Sequence, residues 1–234
     1  MEKNASALGL PASALKWLAM LTMLVDHIGA VLVTGTESIP LRIIGRCAFP
    51  VFCFLLAEGA AHTRSRWKYA LRLLLCAVIT EPIFDFALRG TWFDPTYQNV
   101  LWTLLLALVA ISLGDFRSRR WRSPWLSWGG RIIACVLLVL ALVSMARAAE
   151  FIHSDYGAYG VVMAAAFYHL RRVRWLACLA VGALTLLQGG LQVFAVMALL
   201  SILLYNGRKG RGSRWFYLFY PCHLAVLGVL AWCL

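Results

Sequence analysis

The sequence predicts an all-α integral membrane protein, a single polytopic domain over residues 1–234 built from about nine transmembrane helices with a cytoplasmic N-terminus. Three observations predict it. The chain is 62% hydrophobic, against roughly 45–50% in soluble domains. Apolar runs recur along it at lengths near the ~20 residues that cross a bilayer. The basic excess, 22 Lys and Arg against 10 Asp and Glu, falls in alternate loops, the distribution that orients a chain in a membrane. Little chain is left for loops, so a soluble catalytic domain is excluded. Any chemistry belongs to side chains that the spans carry.

The first span, 14–34, is opened by Lys16 and carries Asp26 and His27, about 12 residues in and so a little past the midplane at 1.5 Å per residue. With that polar pair at its centre and no small-residue cleavage site, it is a retained span and not a signal peptide. The second, 40–61, returns inward with Arg42 and Arg46 in its outer half and Glu58 near its inner end. The third, 68–88, has Arg72 inside, while Glu81 and Asp85 lie outside on one face at i, i+4 spacing. The fourth, 99–114, opens on Asn99 and carries Thr103 one turn later. Spans follow at 131–148, 156–170, 173–187 and 191–205; those starting at 99, 156, 173 and 191 are short enough to be tilted or partial. The last, 215–234, carries Tyr217, Tyr220 and His223. Alternating sides brings Lys3 and Lys16, Arg64 to Arg72, Arg117 to Arg131, Arg171 to Arg174 and Arg208 to Arg214 to the cytoplasmic face.

Seven cysteines sit in apolar stretches with no C-x-x-C pair, the pattern of small core residues and not of a disulfide framework or a metal site, so no metal is expected. Segment 115–130 interleaves Arg with Trp121, Trp125 and Trp128. This composition suits an interfacial loop on an anionic leaflet better than a nucleic-acid surface, and no nucleic-acid partner is expected. There is no internal repeat, Walker motif, G-x-G-x-x-G, G-x-S-x-G or H-E-x-x-H.

Ionisable groups inside spans are costly unless paired or wet, which makes them functional candidates. By depth they form two groups. Around and beyond the midplane lie Asp26, His27, Arg42, Arg46, Glu81, Asp85, Asn99 and Asp155. Near the cytoplasmic face lie Glu58, His62, Arg64, Lys68, Arg72, Asn206, Arg208 and Lys209, with Tyr217, Tyr220 and His223 climbing toward the middle. This placement predicts a cavity crossing the membrane. The structural alternative is mutual pairing that fixes helix packing, Arg42 and Arg46 with Glu81 and Asp85. His27 is the residue type best suited to proton transfer. Adjacent helical residues point about 100° apart, so Asp26 need not touch the imidazole, and a group from another span is the better candidate to orient it.

The stretches MLTMLVDHIGAVL (20–32), LRIIGRCAFPVFCFLLAEGAAHTRSRWKYALRLL (41–74) and ITEPIFD (79–85) closely resemble TraX-type membrane proteins. So do QNVLWTLLLAL (98–108), SDYGAYGVVM (154–163), LLYNGRKG (203–210) and FYLFYPCHLAVLGVL (216–230). A more distant resemblance extends to the acyltransferase family three membrane proteins, with His27 in place of that family's first-span histidine. The TraX-type resemblance implies a role in acetylating the N-terminal amine of a conjugative pilin, and with it a membrane acetyltransferase using acetyl-CoA as co-substrate. For such a reaction, residue type and depth make His27 the base, held by Asp26, Glu81 or Asp85, with Arg42, Arg46, Asn99, Tyr220 and His223 serving substrate and oxyanion. Glu58, His62, Arg64, Lys68, Arg72, Asn206, Arg208, Lys209 and Tyr217 would bind the donor. The acceptor is a protein, glycan or lipid amine or hydroxyl, and the location a multi-pass protein of a bacterial cytoplasmic membrane in contact with its lipid. The alternatives are a proton-coupled transporter or channel without acyl transfer, and a structural scaffold.

Overall fold

The computed structural model describes residues 9–120, 128–210 and 216–234 and is all-helical over them. The interfacial segment with Trp121, Arg122 and Trp125, and the basic residues Lys3, Arg211 and Arg214, lie outside the described residues. Ten α-helices follow one another: α1 (Ala12–Val31), α2 (Ile39–Gly45), α3 (Ala48–His62), α4 (Arg66–Arg89), α5 (Val100–Arg120), α6 (Trp128–Phe151), α7 (Gly157–His169), α8 (Arg174–Gln188), α9 (Met197–Leu203) and α10 (Phe216–Cys233). Short 3-10 turns at Gly35–Ser38 and Gly190–Val196 lead into α2 and α9.

Local chemistry sets the boundaries. Pro11 in extended conformation precedes α1. The Ser65 hydroxyl caps α4 by accepting from the Lys68 N–H at 3.3 Å, and Gly90, at φ 69°, ends it in the left-handed conformation. Two expected spans are broken. Residues 40–61 divide at Arg46–Cys47 into α2 and α3, and 191–205 begins as a 3-10 turn before α9. Both are local changes of backbone hydrogen bonding inside stretches that stay apolar on average, which is why hydropathy does not register them.

Helices α3 and α7 form the middle of the bundle. Val51 and Cys53 on α3 and Val161, Met163 and Ala164 on α7 are fully buried. Small residues permit the approach: Gly160 of α7 sits where a Cβ would strike Phe49 of α3 and Thr103 of α5. Helices α1, α4, α5, α6, α8, α9 and α10 surround this pair. A smaller cluster of Met23, Ala48, Phe84, Ala87, Tyr220 and Leu224 joins α1, α3, α4 and α10.

Outward faces are apolar. Trp17, Leu21, Val78, Ile79, Val139, Leu140, Leu187, Leu200, Val229 and Trp232 are exposed along six helices, the surface of a protein that associates with a membrane. Among the described residues, Ala12–Val31, Gly35–His62 and Phe216–Cys233 are long and apolar enough to cross one. Shorter apolar helices cover Val100–Gly114, Arg174–Gln188 and Gly190–Leu203.

Candidate functional site

The centre of the site is a histidine pair. His27 of α1 and His223 of α10 approach to 2.7 Å between Nδ1 and Nε2, with their rings stacked at 4.9 Å. His223 Nδ1 lies 2.7 Å from the Phe219 carbonyl oxygen one turn earlier. A carbonyl only accepts, so His223 Nδ1 carries the proton and, in the neutral ring, its Nε2 is an acceptor. His27 Nδ1–H must then donate to that Nε2, which leaves the lone pair on His27 Nε2. A carbonyl on α10 thereby selects the tautomer of a histidine on α1.

Asp26 faces elsewhere. Its Oδ2 accepts from Arg42 Nη1 at 2.9 Å and its Oδ1 from Arg46 Nη2 at 2.7 Å. The arginines are four residues apart at the end of α2, on one face, where they grip a single carboxylate. Gly45 lies between them, and a Cβ there would collide with the Asp26 side chain. The Arg46 guanidinium also lies 5.9 Å from the centre of the Tyr156 ring. Pairing of these arginines with Glu81 and Asp85, the structural alternative, is therefore corrected: Asp26 is their partner because α2 packs on α1.

Glu81 and Asp85 do not hold the imidazole either. Glu81 accepts from the Asn99 backbone N–H at 3.0 Å, from Asn99 Nδ2 at 2.7 Å and from Trp102 Nε1 at 2.5 Å. Asn99 Nδ2 also donates to the Ala77 carbonyl at 3.0 Å, and its Oδ1 accepts from Leu101 N–H at 3.0 Å. With its amide committed, Asn99 joins α4 to α5 and is not available as an oxyanion donor. Asp85 accepts from the Asp94 N–H at 2.8 Å, while its other oxygen is buried and has no hydrogen-bond partner among the described residues. In that loop Asp94 is held below the usual carboxylate range by the Thr96 hydroxyl and N–H.

Two cavities enter from opposite ends of the bundle. The first, about 730 Å³, lies at the end away from the basic loops and is lined by Asp26, His27, Arg42, Arg46, Tyr97 and Asp155, with Glu150, His153, Gln188 and Gln192 farther out. The second, about 390 Å³, opens at the basic end beside Lys16, Arg72, Lys209 and Tyr217 and narrows through apolar walls to Met23 and Tyr220. Tyr220 is buried, with its ring centre 6.0 Å from that of His27 and 5.7 Å from that of His223. One aromatic layer thus separates the cavities.

The remaining donor-site candidates are divided. Glu58 lies beside the Tyr205 side chain, and His62 is exposed with its Nδ1 2.9 Å from the Glu58 carbonyl. Asn206 pins the segment before α1, donating from Nδ2 to the Gly9 carbonyl at 3.1 Å and accepting from the Arg208 N–H at 3.0 Å. The Arg208 carbonyl accepts from Ala12 N–H at 2.8 Å. Lys68 is exposed, and Arg64 lines a third cleft. These residues share a face of the bundle without sharing one site.

The outer wall holds groups that sequence reasoning missed. Tyr97 donates to Asp155 at 2.6 Å, and Tyr156 stacks on Phe49 with ring centres 3.7 Å apart. Tyr97 and Tyr156 belong to loops, where hydropathy carries no signal. Lys16 accounts for itself as a topological charge, which hides its place at the cavity mouth.

Against known proteins, the family described as TraX protein matches residues 12–231. "Probable fimbrial assembly protein FimC, serogroup H1" of Dichelobacter nodosus is 33% identical over 92% of this chain and 93% of its own length. Protein TraX of Escherichia coli is 30% identical over 93% of this chain and 86% of its own, and Protein TraX of Escherichia coli strain K12 is 28% identical over the same shares. No solved structure matches. The pattern that runs from the Asp26–His27 pair to the Tyr220–His223 segment falls within the matched region, and the chain belongs to the TraX family.

Proposed function

We propose that this protein is a multi-pass acetyltransferase of a bacterial cytoplasmic membrane, with nine crossings and the basic end inside. It takes acetyl from cytoplasmic acetyl-CoA and gives it to an amine or hydroxyl acceptor from the other side, in pilus or fimbrial assembly. The observation that carries this reading is the approach of two cavities, one with a cationic mouth, to opposite sides of the His27–Tyr220 layer. The pilus setting is supported by a relative named for fimbrial assembly and by the pilin acetylation that the TraX-type resemblance implies.

In this mechanism Lys16, Arg72 and Lys209 attract the donor's phosphates, and the acetylated arm descends between Phe52, Leu56 and Leu101 to Tyr220. The acceptor enters from the opposite cavity and presents its N–H or O–H to His27 Nε2. As the heteroatom attacks the acetyl carbonyl, His27 takes the proton while His223 holds its Nδ1–H. The C–S bond then breaks, acetyl stays on the acceptor, and the proton passes to the CoA sulfur, which restores neutral His27. The Tyr220 hydroxyl, buried beside His27, donates to the carbonyl oxygen as that oxygen becomes negative.

The test gives purified protein in nanodiscs acetyl-labelled acetyl-CoA together with an envelope extract. Label transfer and thiol release are expected in wild type, and a loss of roughly 10²–10⁴-fold in His27→Ala. Undiminished transfer in that variant overturns the base. Solute flux in liposomes with neither CoA binding nor thiol release overturns the enzyme in favour of a transporter.

A further inference from the structure

We propose that the third cleft, at the turn between α3 and α4, binds the nucleotide end of the donor, with Trp67 stacking on adenine and Arg64 holding the 3′-phosphate. The inference rests on the reading of the chain as a CoA-dependent enzyme. The second cavity runs along α3 from Phe52 to Thr63, about 16 Å of helix at 1.5 Å per residue. At about 390 Å³ and with mostly apolar walls between its cationic mouth and Tyr220, it suits the thioester arm and leaves the adenine and 3′-phosphate to be held elsewhere.

Thr63 lines that cavity and also the neighbouring cleft of about 540 Å³. A ligand leaving the first past Arg72 and Lys209 enters the second across this one residue. The cleft has the other shape. Ala60, Ala61 and Ala70 leave a shallow floor, and Trp67 stands at the rim with 77% of its surface free. Arg64 is exposed at the same rim and makes no hydrogen bond or ion pair among the described residues. Arg66 beside it is engaged in the fold, donating to the Ala60 carbonyl at 3.0 Å and to the Tyr168 hydroxyl at 2.6 Å. A flat indole and an uncommitted guanidinium at one edge are the groups that recognise a base and a phosphate monoester.

Binding of CoA and of dephospho-CoA, which lacks only the 3′-phosphate, tests this in phosphatidylcholine nanodiscs. Wild type is expected to prefer CoA about tenfold, and Arg64→Ala to bind both equally. Trp67→Ala should weaken both about tenfold, the size of one lost base–aromatic stack. Arg172→Ala, exposed at the α7–α8 turn on the same basic face and lining neither cavity, should leave both unchanged. If wild type binds CoA but neither substitution moves affinity or preference, the nucleotide lies elsewhere and the proposal falls while the enzyme reading stands. If Arg64→Ala instead sheds co-purified anionic phospholipid with CoA affinity unmoved, the cleft is a lipid headgroup site and the proposal is overturned. Absence of CoA binding in wild type overturns both readings.

Discussion

Position 45 decides whether Asp26 can be held by two arginines. The carboxylate needs both, because a buried charge left without its partner costs several kcal/mol. Only a residue without a Cβ lets α1 and α2 approach there. Gly45→Ala is expected to lower stability by about 2 kcal/mol through overpacking against Asp26, seen as a lower unfolding temperature in detergent. Gly182→Ala is the control: its Cβ would meet only the Leu199 side chain, at 3.3 Å, and stability should move by less than about 0.5 kcal/mol. Equal effects at the two positions would show that the Asp26 contact is not what matters. At the histidine pair, His223→Ala removes the acceptor that fixes the His27 tautomer. Label transfer is expected to fall about 100-fold with donor affinity unchanged. His223→Gln, whose amide oxygen can occupy the place of Nε2, should recover part of the loss. Full turnover in His223→Ala would remove His223 from the mechanism.

Elements were legible in the sequence to the extent that hydropathy defines them. Helix positions follow the apolar runs closely, since every helix must bury or face apolar surroundings along its length. The breaks at Arg46–Cys47 and Gly190–Val196 were not legible, because a local change from α-helical to tighter backbone hydrogen bonding does not alter hydropathy averaged over a span. The site was legible by residue type and depth but not by partner. Asp26, His27, Arg42, Arg46, Tyr220 and His223 gather, yet Glu81 and Asn99 are drawn into a separate α4–α5 link by geometry that spacing within one helix does not reveal. The loop before α7 is the clearest such case. His153 and Tyr156, neither of them glycine, adopt φ of 52° and 65°, a conformation that costs of order 1–2 kcal/mol at each. Gln98 holds the loop through its backbone, donating to the His153 carbonyl at 3.0 Å and accepting from the Asp155 N–H at 2.9 Å. The Phe49–Tyr156 stack fixes its far side. Tyr156→Ala loses that stack and keeps the strain, so a stability loss of about 2 kcal/mol is expected, together with slower transfer as the outer cavity wall loosens. Unchanged stability would show that the loop is held by Gln98 alone.

At the scale of the whole molecule the proposed mechanism depends on sidedness, because donor and acceptor reach His27 from opposite ends. The basic loops supply the direction. The proposed nine crossings put the turn at 35–38 and the α8–α9 junction on the outer side, and the α7–α8 turn and the segment after α9 on the cytoplasmic side. Single cysteines at Thr36, Gln188, Arg172 and Lys209 test this, in a background from which the seven native cysteines have been removed. All four positions are exposed. In intact cells a membrane-impermeant maleimide should label Thr36→Cys and Gln188→Cys, and should reach Arg172→Cys and Lys209→Cys only after the membrane is opened. The cavity mouths are tied to these same segments. Gln188 lines the larger cavity and Lys209 the cationic one, so labelling also reports which cavity meets which compartment. If Lys209→Cys is labelled from outside, the cationic mouth faces away from the CoA pool, and a donor site there is ruled out whatever the histidine pair can do. If Gln188→Cys and Lys209→Cys are labelled from the same side, the chain crosses an even number of times between them, and the larger cavity cannot admit an acceptor from across the membrane.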